Sequence, residues 1–242
     1  MKVLGALLIL LSLSSKANEI VRVSVIYSQA YSASFHHFST ANNQVLNQIE
    51  ELNQTLDSQK AGVSLQVVSS DIVVNNSGEL PSDLCGGFLG FDMPLFQTEP
   101  EPNIANFKNI RIKNKADMVL LMTYTDSIYF KEENNYGVAC GTRRAENGMH
   151  EEFAFTIVEK NGLETHTISH EIGHFLGASH HKYQRVEDTR ATLMIANGNP
   201  EGLKRELLFS DIPSKPEVSD IHIIRKNAKL SSQAFERWIL LQ

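Results

Sequence analysis

Five of the nine histidines fall between His166 and His181, in the stretch ETHTISHEIGHFLGASHH. On a helix, His170 and His174 leave the same face about one turn apart. That separation lets two imidazole nitrogens meet one zinc ion at roughly 2.0–2.1 Å each. Glu171, next in sequence, is rotated away from a direct ligand position and can reach a water held on the metal. Gly177 follows His174 by three residues, where helices commonly end in a left-handed conformation that glycine tolerates best. The chain can then fold back and present His180 as a third ligand. Three histidines leave one coordination position open for water, as a catalytic zinc requires, whereas a structural site is normally closed by four protein ligands.

The pattern HExxHxxGxxH fixes five positions within eleven residues, which argues against histidines gathered by accident. A bare HExxH is weaker, since it arises in unrelated helices. His181 is the rival for the third ligand, but the register after Gly177 favours His180. His166, one turn before His170, reads as an outer or surface residue. His36, His37, His150 and His222 have no spacing that commends them.

The elements that must position this cluster are legible in outline. IVRVSVIYS (Ile20 to Ser28) alternates β-branched residues and predicts a strand. Val45, Leu46, Ile49, Leu52 and Leu56 recur at helical spacing within Phe38 to Leu56. VSLQVVSSDIVV (Val63 to Val74) predicts a second strand, so the chain opens in a strand–helix–strand order suited to an α/β layer. Asn75 to Asn109 is rich in glycine, proline and acidic residues and reads as a long surface excursion. ADMVLLMTY (Ala116 to Tyr124) suits a strand buried on both faces. YGVACG (Tyr136 to Gly141) and EFAFTIVEK (Glu152 to Lys160) are further strands, followed by a turn at Asn161 and Gly162. The histidine helix should start near Thr165, with Ile168, Ile172, Phe175 and Leu176 on its apolar side. Beyond His181 a loop is expected until LSSQAFERWILLQ, where Leu230, Phe235, Trp238 and Ile239 suggest a closing amphipathic helix, Trp238 in the core.

Composition bounds the rest. An apolar share of 42% and a charged share of 21% are those of an ordinary globular chain. A net charge of -6 offers nucleic acid no attractive field. MKVLGALLILLSLSSKA has a basic Lys2, an apolar run from Val3 to Leu13, and small residues Ser15 and Ala17 before a plausible cut. Residues 1–17 are therefore expected to be a signal peptide, with export to the periplasm or outside the cell. The run is too short to span a bilayer comfortably, and no later stretch is suited to one. Cys85 and Cys140 are the only cysteines. In an exported chain they most simply form one disulfide.

HEIGHFLGASH resembles the zinc signature of the metzincin metallopeptidases, and Met194 in ATLMIANGN is placed where that clan carries the methionine of its Met-turn. VRVSVIYSQAY, ADMVLLMTY, the ACG of Ala139 to Gly141, FTIV before the helix, and the late FS and KNA segments occur in the order of secreted reprolysin-like enzymes. Bacterial peptidyl-Asp metallopeptidases are the nearest group. The chain departs from such relatives by carrying His181 in place of an Asp, and in its cysteine pattern. It also lacks a Tyr two residues past Met194, so no extra tyrosine ligand is expected. The resemblance implies an α+β metzincin fold: a twisted mixed sheet with the active-site helix in an upper subdomain, residues 18 to about 180. A small lower subdomain, about 181–242, would complete a catalytic domain of residues 18–242. The substrate cleft would lie between them, below an edge strand near Tyr136 to Thr142.

The expected function is a secreted zinc endopeptidase acting on protein or peptide, monomeric, with one catalytic Zn2+ on His170, His174 and His180. Zinc would activate a water and polarise the scissile carbonyl, with Glu171 as general base. Two other classes compete. A zinc-bearing binding or toxin-like module would have no physical need of Glu171, and a cysteine hydrolase built on Cys85 has no supporting motif. Arg143, Arg144, Lys182, Arg185 and Arg190 lie near the expected cleft in sequence and could pair with an acidic substrate side chain, though solvated surface charge is the simpler reading.

Overall fold

The computed structural model describes residues 18–73, 109–124, 137–140, 155–196 and 202–240. A five-stranded sheet is built from β1 (Glu19–Ser28), β2 (Val63–Val73), β3 (Met118–Thr123), β4 (Gly137–Cys140) and β5 (Phe155–Glu159) in the order β2-β1-β3-β5-β4. β1 runs parallel to β2 and β3, and β3 parallel to β5. β4 alone is antiparallel, pairing Ala139 with Thr156 at the sheet's far edge. This mixed sheet joins with the helices in the expected α+β arrangement. Met118 to Met122 of β3 are buried on both faces, as a central parallel strand flanked by helices requires.

Two helices follow β1, the short α1 (Gln29–Ala33) and the long α2 (Phe38–Ser58). α2 buries Ala41, Val45, Ile49, Leu52 and Leu56, a stripe at three- and four-residue steps, while the opposite side stays polar. The segment after β5 is a 3-10 helix over Lys160–Thr165, so Asn161 and Gly162 sit inside a helical turn and not in a plain reversal. It leads into α3 (Thr167–Phe175), which carries the histidines.

The region expected to be loop contains more order. Three short strands, β6 (Arg185–Glu187), β7 (Arg190–Thr192) and β8 (Lys204–Glu206), form a second sheet in that order. α4 (Asp220–Ser231) was not expected, because DIHIIRKNAKLS has a narrow apolar face. The closing helix α5 is shorter than the pattern suggested, Ala234–Leu240. Leu230 belongs to α4 and is exposed, as is Ile239. The Trp238 side chain lies outside the described residues, as do Cys85 and the side chain of Cys140.

One apolar cluster unites these parts. Val45, Leu120, Ile168, Ile172, Met194, Phe209, Ile224 and Ala234 all belong to it. Each fully buried aliphatic side chain contributes about 1.5–3 kcal/mol. The C-terminal helices are also tied to the sheet by polar links. Arg22 forms an ion pair with Asp117 at 2.9 Å, and the backbone N–H of Phe235 donates to the same carboxylate at 3.1 Å. Arg225 on α4 donates from Nε to Lys60 O at 2.8 Å, just past α2. Among the described residues, no helix is long and apolar enough to cross a membrane.

Candidate metal centre

α3 is only nine residues long, too short to hold itself helical in water, so packing must supply its stability. Ile168 and Ile172 enter the core, and Gly173 faces Met194 and Phe209. A β-carbon on Gly173 would stand 2.8 Å from Met194 Sδ and 3.0 Å from the Phe209 ring. Met194, fully buried, therefore underlies the helix at the turn carrying His174.

The helix ends as the glycine spacing requires. Gly177 has φ +100°. Its N–H donates to His174 O and the N–H of Ala178 to Gly173 O, each at 2.9 Å. This paired arrangement is a Schellman motif with glycine at its left-handed position. The chain reverses there and returns His180 to the two helical histidines.

The three rings converge. Nε2 of His180 lies 2.9 Å from Nε2 of His170 and 2.9 Å from Nε2 of His174, and the three candidate ligand nitrogens lie within 4.8 Å of one another. His181 is exposed and outside the group, so the third position goes to His180. On the far side of two rings, Nδ1 of His170 donates to Leu193 O at 2.8 Å and Nδ1 of His174 donates to Ala178 O at 3.1 Å. With those protons committed to carbonyls, the neutral rings turn their Nε2 lone pairs toward one another. Two lone pairs thus face the Nε2 of His180, an arrangement that a cation shared by all three nitrogens would satisfy. Tetrahedral ligands at 2.0–2.1 Å from zinc stand about 3.3 Å apart, close to the spacing observed. The residues present therefore fit a zinc ion.

The surroundings keep the imidazoles neutral. Burial, then the charge of Arg205, pulls His170 well below its ordinary value. Burial and the neighbouring His180 lower His174 to about 3. His180 is exposed as a residue, yet its ring packs against the other two, with centroids 4.9 and 4.6 Å away. That enclosure, with Arg205 and His181 nearby, brings it to about 4. Exposure rises through the set, from 2% at His170 to half-buried His174 to exposed His180, so the centre opens to solvent on one side.

Glu171 is 5% exposed and lies within the field of Arg205, a cation from β8 that spacing could not reveal. Arg205 donates from Nε to Ile195 O at 3.0 Å and from Nη1 to Thr167 Oγ1 at 3.2 Å. It thereby links the residue after Met194 to the first turn of α3. Burial lowers it to about 10, opposed by the attraction of Glu171. Of the basic residues noted in sequence, Arg190 is engaged by Glu187 and Glu206 on the second sheet, and Arg143 and Arg144 lie outside the described residues.

A second feature invisible in sequence is Asp220, fully buried at the start of α4. It accepts from the backbone N–H of Ser179 at 3.1 Å and from Ser210 Oγ at 2.9 Å. Burial raises its carboxyl to about 6.

A match to a known family decides the wider kinship. Residues 17–202 match the family described as metallo-peptidase family M12B, reprolysin-like. The chain belongs to this family. No curated protein matches it. Among solved structures, a chain titled "Structure of a chaperone-substrate complex" superimposes with a TM-score of 0.59 at 14% identity. That match covers 90% of this chain and 35% of the other, so the chain spans about a third of its neighbour's length. At that identity the likeness concerns the fold alone. The converging histidines are the side chains through which this chain could hold the metal that the family's name implies.

Proposed function

We propose that the protein is a secreted zinc-dependent endopeptidase. The observation that carries this reading is the meeting of three Nε2 atoms, two of them on the helix that also carries the buried Glu171. His170, His174 and His180 would hold the ion, with Leu193 O and Ala178 O fixing two of the rings in the tautomer a ligand needs. Zinc, when bound, supplies a Lewis acid for the scissile carbonyl and lowers the pKa of a coordinated water.

Glu171 accepts the proton of the attacking water and returns it to the leaving amine nitrogen. Arg205 lies within the attractive field of Glu171, so a fixed positive charge stands near the proposed base. β4, at the end of the sheet, offers backbone groups to which an extended peptide can add as a further strand. That mode of binding suits a protein or peptide substrate.

Secretion rests on the leader at residues 1–17 and carries with it a Cys85–Cys140 disulfide. Metal analysis of the purified protein alongside casein-type turnover tests the central reading. About one equivalent of zinc is expected, with activity removed by a chelator and restored by zinc. Full turnover in metal-stripped protein would overturn it. Terminal sequencing of exported protein should find Asn18 first.

A further inference from the structure

The third histidine is the one ligand that α3 does not hold. Past Ala178 the next backbone donor, the N–H of Ser179, finds its acceptor in Asp220, 41 residues later. Ser179 caps the 3-10 turn His180–Lys182 with its backbone extended and no side-chain capping bond; its carbonyl accepts from the N–H of Lys182 at 3.1 Å within that turn, and the Asp220 link holds its N–H side against α4. Asp220 is itself held at both ends. Ser210 Oγ donates to its other oxygen and accepts from its backbone N–H, each at 2.9 Å. Ser210 O in turn accepts from Ser219 Oγ at 3.2 Å and from the N–H of Ile221 at 3.1 Å.

The same face of α4 covers the rest of the bend. Asn227, two turns after Asp220, donates to Leu176 O at 3.4 Å and fills the space a side chain on Gly177 would need, with Ile223 beside it. Residues 176–179 are thus gripped at two points by one helix. A buried carboxylate without a described basic partner in hydrogen-bond contact is costly to keep. Its use here is to receive a backbone N–H through a charge-assisted bond, which is shorter and stronger than a neutral one.

We propose that Asp220 is a positioning residue for the metal centre: through the Ser179 peptide it sets where His180 meets His170 and His174. The inference rests on the zinc reading above and assigns that site a support on another helix. Groups that orient ligands typically contribute a factor of about 10–100 in metal affinity.

The test is zinc affinity of the full-length protein, measured by competition with a chromophoric chelator at a temperature where circular dichroism shows each variant folded. Asp220→Ala is expected to weaken zinc binding about 10- to 100-fold. Asp220→Asn, which keeps an acceptor of the same shape, should fall between the two, weaker than wild type by about threefold. His181→Ala should bind as wild type does. A folded Asp220→Ala with wild-type affinity would overturn the proposal and leave the three-histidine site standing. Should Asp220→Ala fail to fold, Asp220→Asn decides: undiminished affinity overturns the proposal, and a partial loss supports it. Wild-type protein that takes up no zinc would bring down both readings.

Discussion

The sulfur of Met194 lies 2.8 Å from the point where a β-carbon on Gly173 would stand, so the space beneath the second turn of α3 is already full. Gly173→Ala should force Met194 or the Phe209 ring aside. Overpacking of this kind costs about 1–3 kcal/mol. For a domain this size, each kcal/mol lowers the melting temperature by about 2–4 °C. Differential scanning calorimetry of the metal-free variant checks this, and an unchanged melting temperature would show that the contact has slack.

Glu171→Gln keeps the shape of the side chain but removes the base. Peptide hydrolysis should fall by a factor of about 10²–10⁴ in kcat, the usual worth of general base catalysis. Zinc content should stay at the wild-type level, since Glu171 is not among the three converging groups. Stopped assays with metal analysis on one preparation separate the two effects. Wild-type turnover in this variant would remove Glu171 from its role.

His180→Ala and His181→Ala form a pair that differ by one position. Only His180 turns its Nε2 into the cluster. The first variant should lose most of its zinc at micromolar free metal, and the second should bind within about twofold of wild type by calorimetric titration. Reversed behaviour would mean that the bend after Gly177 takes another register in solution.

Much of this centre was legible because HExxHxxGxxH is a local pattern, with one helix and one glycine turn fixing the geometry. β1 was equally plain from its alternation of β-branched residues, and β3 from its unbroken run of Met, Val and Leu. Asp220 and Arg205 were hidden for the opposite reason. Their partners lie 41 and 38 residues away, and nothing near either residue announces the contact. α4 was missed because its interior has only Ile221, Ile224 and Ala228 on the apolar side, with Asp220 and Asn227 buried for polar contacts. The strands of the second sheet are three residues each and largely charged, too short to show an alternation.

The lowered histidines give the metal-free protein an acid weakness. His174 near 3 and His180 near 4 stay neutral in the fold, while an unfolded chain takes up their protons at about 6.5. Their contribution is complete above pH 6.5 and is lost as pH falls toward 4, by an amount on the order of a few kcal/mol. Urea midpoints of the chelator-treated protein should therefore drop between pH 7 and pH 5. His174→Gln should show a shallower drop; an equally steep one would assign the weakness to other groups.

Asp220 shifts in the other direction. With its carboxyl at about 6 against an ordinary 3.8, the fold binds its proton more tightly than the unfolded chain does. Its ionised form therefore costs stability that is fully felt above pH 6 and relieved as pH falls toward 4. Relative to wild type, metal-free Asp220→Asn should gain stability between pH 4 and pH 7, by up to about 3 kcal/mol. Chemical denaturation across that range checks the sign, and a constant difference would refute the raised value.

The family match stops at residue 202, eighteen positions short of α4. A recombinant fragment trimmed to that boundary would retain every letter of the histidine signature while discarding the brace behind its outermost member. It would also lose Phe209, Ile221, Ile224 and Ala234 from the one core that α3 packs into, so a smaller version of this chain has to keep the residues through α5.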